Sequence, residues 1–116
     1  MQNISTQEEL TPKAEFLKET IKKIKECESE LGDLEKREIS LNGELQIKTK
    51  ISQGIDKLFE SHPNKDFMKQ MASDEQEETK YALLHLKEEI KNLKIEIDYN
   101  RAKISIAENP TFHIGK

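Results

Sequence analysis

Tryptophan is absent from this chain of 116 residues, and aromatic side chains make up 5% of it. A thick globular core draws on such side chains, so the composition argues against one. The single cysteine, Cys27, excludes an internal disulfide. Proline and glycine are scarce, at three and four residues, which argues against wholesale disorder despite the polarity. No apolar run approaches the ~18 residues of a membrane span. A Gly-rich phosphate loop is missing, closing the common nucleotide-binding routes. The formal net charge of −4 lacks the clustered Lys/Arg excess that phosphate backbones demand, so nucleic acid is not expected as the main partner. The opening "MQNISTQEEL" has neither the basic start nor the apolar stretch of a signal peptide. Together with the lone cysteine, it makes cytoplasmic the expected compartment.

Charge is what the chain has in plenty. Charged residues are 36% of it, against about a quarter in ordinary domains. Leu and Ile dominate the apolar set. This is the material of long solvated helices, in one domain at most.

The spacing of the apolar residues agrees. Thr11-Pro12 reads as a helix start, with Thr as N-cap and Pro at the first helical position. Thr6 with Glu9 is a competing start that would leave Pro12 as a kink. Leu17, Ile21, Ile24, Cys27, Leu31 and Leu34 then recur at steps of three or four, and Leu41, Leu45, Ile55 and Leu58 continue the stripe. A second helix is plainer: Leu83, Leu86, Ile90, Leu93, Ile97, Asn100, Ile104 and Ala107 form a strict heptad seam with one polar position. Asn109-Pro110 ends it. Between the two helices, "FESHPNKDF" is the strong interior loop signal. Ser73 followed by Gln76 is a possible capping box that would interrupt the second helix near residue 72.

Residues 38–52, "EISLNGELQIKTKIS", carry a competing signal. Asn42-Gly43 between alternating apolar residues is a strong mark of a β-hairpin. Charge register decides against it. With a turn near residue 63, residue i of one arm faces roughly residue 126 − i of the other, and flanking charges of opposite sign are what pair coiled-coil helices. Asp74, Glu75, Glu77 and Glu78 then lie opposite Lys48 and Lys50, and Glu28, Asp33 and Glu35 lie opposite Lys91 and Lys94. A lone two-stranded hairpin is also marginal in water. The stretch is expected to be helical. Gly32, Gly43 and Gly54, spaced by eleven, are tolerated surface glycines or a groove for another helix.

No constellation reads as an active site. His85, Glu88 and Glu89 have helical ligand spacing but lack a second cluster, so a polar helix face explains them better than a metal. His62 and His113 read as solvated loop residues. Cys27 lies on the apolar stripe and reads as a small buried hydrophobe. Lys13, Lys18, Lys22, Lys23 and Lys25, interleaved with Glu15 and Glu19, read as a solvated face. Neither catalytic residues, nor a cofactor, nor a metal is expected, and the chain is not read as an enzyme.

Some apolar residues exceed what a two-helix seam uses. Ile39, Ile47 and Ile51 widen the first stripe, and Phe59, Phe67, Met68 and Met71 cluster around the turn. Such width suits a bundle helix, and small chains of this kind usually need self-association. These seven residues are the partner-binding candidates.

The expected fold is therefore all-α. It is a long antiparallel two-helix coiled-coil hairpin with helices over 11–60 and 66–108 and a turn over 61–65. A disordered N-terminus (1–10) and an extended C-terminal tail (109–116) flank it, the tail folding back near Phe16 and Leu17. A homodimer or larger assembly is expected, with the halves near the turn forming a four-helix bundle. The expected function is a non-enzymatic protein-protein interaction module acting as adaptor, assembly factor or inhibitor on another protein. The alternative is a chaperone-like or regulatory factor that uses the tip of its hairpin on a large machine, such as RNA polymerase or a secretion apparatus.

Overall fold

In the computed structural model, residues 11–109 are described. The expectations for 1–10 and for the tail beyond Asn109, including the start at Thr6 and the role of His113, lie outside the described residues. Two long helices form an antiparallel hairpin: α1 (Pro12–Leu58) and α2 (Lys65–Glu108). Among the described residues there is no strand, and no helix is long and apolar enough to cross a membrane.

The helix ends follow from local chemistry. The Thr11 carbonyl accepts the Glu15 amide at 3.0 Å, with Pro12 at the first helical position, where its missing N–H is not needed. After α1, the His62 carbonyl accepts the Lys65 amide and the Asn64 carbonyl accepts the Met68 amide, which starts α2. The Asn64 amide donates to His62 Nδ1 at 3.0 Å, so this histidine shapes the turn. Lys57 in the last turn of α1 and Asp66 in the first turn of α2 complement the helix dipoles.

Residues 38–52 are helix throughout, and Gly43 sits in it without a positive φ. The tertiary pairing of α1 with α2 overrides the Asn-Gly signal. α2 is likewise uninterrupted at Ser73; Gln76 donates to the Thr49 hydroxyl of α1 at 3.0 Å instead of capping. Two further expectations need correction. Ile21 is 45% exposed and Thr20 takes its place in the seam, its hydroxyl donating to the Phe16 carbonyl at 2.7 Å. Leu58 is 79% exposed, off the stripe assigned to it.

The chain divides into two compact units. The terminal unit pairs residues 11–32 with 91–109. Thr20 and Cys27 of α1 and Leu93, Ile97 and Asn100 of α2 are buried there, with Ile24 and Leu31 half-buried. Asn100 is the deepest at 2% exposure, and its Nδ2 donates to the Glu96 carbonyl one turn back. Burial and the Glu96 carboxylate push the Cys27 thiol up, which disfavours the thiolate. Arg101 pairs with Glu28 at 2.6 Å, and Lys94 lines the same shallow groove as Glu28 and Leu31. The ammonium of Lys103 covers the rings of Phe16 and Tyr99 at 5.5 and 5.0 Å.

The turn unit is Asp33–Ile90. α2 supplies buried Ala72, Thr79, Leu83, Leu86 and Ile90. The α1 side is poorer. Leu34, Leu41, Leu45 and Ile55 are half-buried, and the heptad between them places Glu38, Lys48 and Ser52 on the same inward row.

Candidate functional site

The polar intrusion defines one side of the turn unit. Lys48 lies on the seam, donating to the Thr79 hydroxyl at 2.7 Å and pairing with Glu44 at 2.9 Å. This contact holds the Glu44 carboxyl below its ordinary value and raises Lys48. The nearby carboxylates of Glu75 and Glu78 raise Lys48 further.

One residue step turns a helix by about 100°, so the residues just after and just before a seam position lie on opposite flanks. Near the turn, the flank of residues that follow seam positions is covered by polar contacts. Asp56, after Ile55, pairs with Lys69, after Met68, at 3.0 Å, and Lys65 adds a contact at 3.6 Å. Hydrogen bonding to Lys69 holds the Asp56 carboxyl low. Thr49, after Lys48, accepts from Gln76.

The flank of residues that precede seam positions is open and apolar. α1 contributes Ile47 (61% exposed), Ile51 (51%), Gly54 and Leu58, just before Lys48, Ser52, Ile55 and Phe59. α2 contributes Phe67 (69%) and Met71, just before Met68 and Ala72, and beyond them Glu75 and Glu78. Ile47, Lys50, Ile51, Gly54, Ile55, Leu58 and Phe59 line a shallow groove along α1. Gly54, without a side chain, leaves a notch between Ile51 and Leu58 in this lining, and a Cβ built there would meet nothing within 4 Å.

Five of the seven candidates are thus brought to the region beside the turn: Ile47, Ile51, Phe67 and Met71 on the open flank, and Phe59 at its end against the His62 ring, edge-on at 5.5 Å. The other two are elsewhere. Ile39 follows Glu38 and sits on the opposite flank, exposed there as is Leu84, which follows Leu83. Met68 is half-buried on the seam row. Leu58 and Lys50 belong to the face and were not expected there. The signal that finds them is phase: Ile47, Ile51, Gly54 and Leu58 step 4-3-4, one residue ahead of the seam.

Among the described residues, no group of His, Cys, Asp and Glu is arranged to hold a metal ion. The chain matches no family model, no curated protein and no solved structure.

Proposed function

We propose that the protein is a non-enzymatic interaction module that self-associates through the open flank of its turn unit and binds another protein as adaptor, assembly factor or inhibitor. The observation that carries this reading is the concentration of exposed Ile47, Ile51, Leu58, Phe67 and Met71 on one flank beside the turn, where the other flank carries the Asp56 ion pairs. Water-exposed aliphatic side chains gathered in one patch are an incomplete burial, and association completes it. Sedimentation of the wild type against the Ile47→Lys/Ile51→Lys variant at micromolar concentration tests it. The variant is expected to be monomeric and fully helical where the wild type is assembled. A wild type that sediments as a compact monomer of 13.5 kDa would end this reading.

A further inference from the structure

We infer that the occupant of the open flank is a second copy of this chain, docked with α1 of one copy antiparallel against α2 of the other and both turns at the same end. This rests on the self-association proposed above and specifies its geometry. The argument is charge. From Gln46 to Leu58, α1 carries Lys48, Lys50 and Lys57, and its one carboxylate, Asp56, is held on the far flank by Lys65 and Lys69. From Gln70 to Thr79, α2 carries Asp74, Glu75, Glu77 and Glu78 and no cation. Their own contacts are light: Asp74 accepts from Gln70, and Glu77 meets Lys80, both within the exposed surface of α2. Lys50 and Lys57 have no ion pair among the described residues.

The open flank therefore has a basic edge on α1 and an acidic edge on α2, and two flanks can be laid together by a two-fold axis in two ways. With the turns at opposite ends, α1 meets α1 and α2 meets α2, setting Lys50 against lysines and the carboxylates against carboxylates. Turns at the same end bring α1 against α2 at both contacts, so each contact joins opposite charges. Antiparallel helices at the register seen within one chain, where Thr49 meets Gln76 and Lys48 meets Thr79, then bring matching groups together. Leu58 faces Phe67 of the second copy, Met71 enters the notch at Gly54, and Lys50 lies between Asp74 and Glu78. Size, shape and charge agree on one register. The product is a four-helix bundle confined to the turn unit.

Charge exchange tests it. Sedimentation equilibrium is measured for wild type, Lys50→Glu, Asp74→Lys/Glu78→Lys, and the chain carrying all three changes, each checked for helicity by circular dichroism. Every contact occurs twice in the dimer, so Lys50→Glu and Asp74→Lys/Glu78→Lys are each expected to dissociate about tenfold or more readily than wild type. The triple variant is expected to recover to within about threefold, because opposite charges face each other again. A dimer that forms in all four proteins with equal strength overturns the α1-against-α2 geometry while leaving self-association standing. A Lys50→Glu chain that associates more tightly when mixed with wild type than wild type does alone would instead place α1 against α1. A monomeric wild type would remove the self-association on which both rest.

Discussion

The same two helices make two different halves. In the terminal unit, Ile24, Cys27, Leu31, Leu93 and Ile97 fill the seam, and the polar positions Thr20 and Asn100 are satisfied by carbonyls of their own helix. In the turn unit, Lys48 and Ser52 occupy inward positions of α1, while Ile47 and Ile51 stand one residue out of phase and face water. A shift of one residue relocates a side chain by about 100°, enough to turn a core residue into a surface one. The terminal unit is a closed two-helix seam. The turn unit buries the apolar row of α2 but turns Ile47 and Ile51 of α1 outward, and a Lys48–Thr79 hydrogen bond takes an interior position.

The sharpest way to break this contrast is to truncate one side chain in each unit. Ile97→Ala removes a buried side chain from the terminal seam and is expected to lower unfolding free energy by about 2–5 kcal/mol in urea titration. Leu58→Ala in the turn unit, measured at a concentration where the chain is monomeric, is expected to stay within about 0.5 kcal/mol of wild type. Equal losses would erase the distinction.

Asn100 gives the next largest effect. It is buried on an apolar row and its side chain is satisfied only within its own helix. Asn100→Leu is expected to raise stability by about 1–2 kcal/mol in thermal melts, because a polar residue at such a position sacrifices stability for register. A destabilised variant would mean that the Asn100 side chain contributes more than pairing specificity.

The turn unit's ion pairs make its stability respond to acid. Glu44 and Asp56 have folded-state values held below their ordinary ones. Their contribution is therefore present above the ordinary carboxylate range, about pH 4, and is lost as pH falls through the folded-state values. Lys48, raised in the fold, contributes below its ordinary value of about 10.4 and loses that contribution at higher pH. Both partners of each pair reach solvent, so the change is modest. Amide protection, taken relative to the intrinsic exchange rate at each pH, is expected to fall at acid pH around Glu44 and Asp56 before it does around Asn100. Asp56→Asn should remove the local part of that response.

Glycine gives the smallest effect. Gly43 and Gly54 both sit in α1 with open space where a Cβ would go. Alanine at either position is expected to stabilise the monomer by up to about 1 kcal/mol. Only Gly54→Ala, at the notch of the open flank, is expected to weaken self-association, by a few fold. Equal behaviour of the two variants in sedimentation would argue against the notch as a contact.

Much of the fold was legible because α2 repeats so regularly: Leu83 to Ile97 lie on one heptad row and are buried together. The turn was legible from His62, Pro63 and Asn64. The phase of α1 was harder to read. Apolar spacing favoured Ile21 over Thr20 and carried Leu58 onto the seam, because a hydroxyl that bonds its own helix and a lysine that reaches Thr79 fill inward positions without looking hydrophobic. The surplus of apolar residues near the turn was visible in the sequence. Which of them share a flank was not, since Ile39 lies one residue after, and Ile47 one residue before, inward positions that are themselves polar.

The most direct measurement is isotope-edited methyl NMR of the isoleucines as protein concentration rises through the micromolar range. The expected result is that the Ile47 and Ile51 methyls shift with concentration and that Ile51 shows intermolecular contacts to the Met71 methyl, while Ile24 and Ile97 stay unchanged. Shifts confined to Ile95 and Ile106 in the terminal unit, or Ile47 and Ile51 methyls that never move, would contradict a docking face beside the turn.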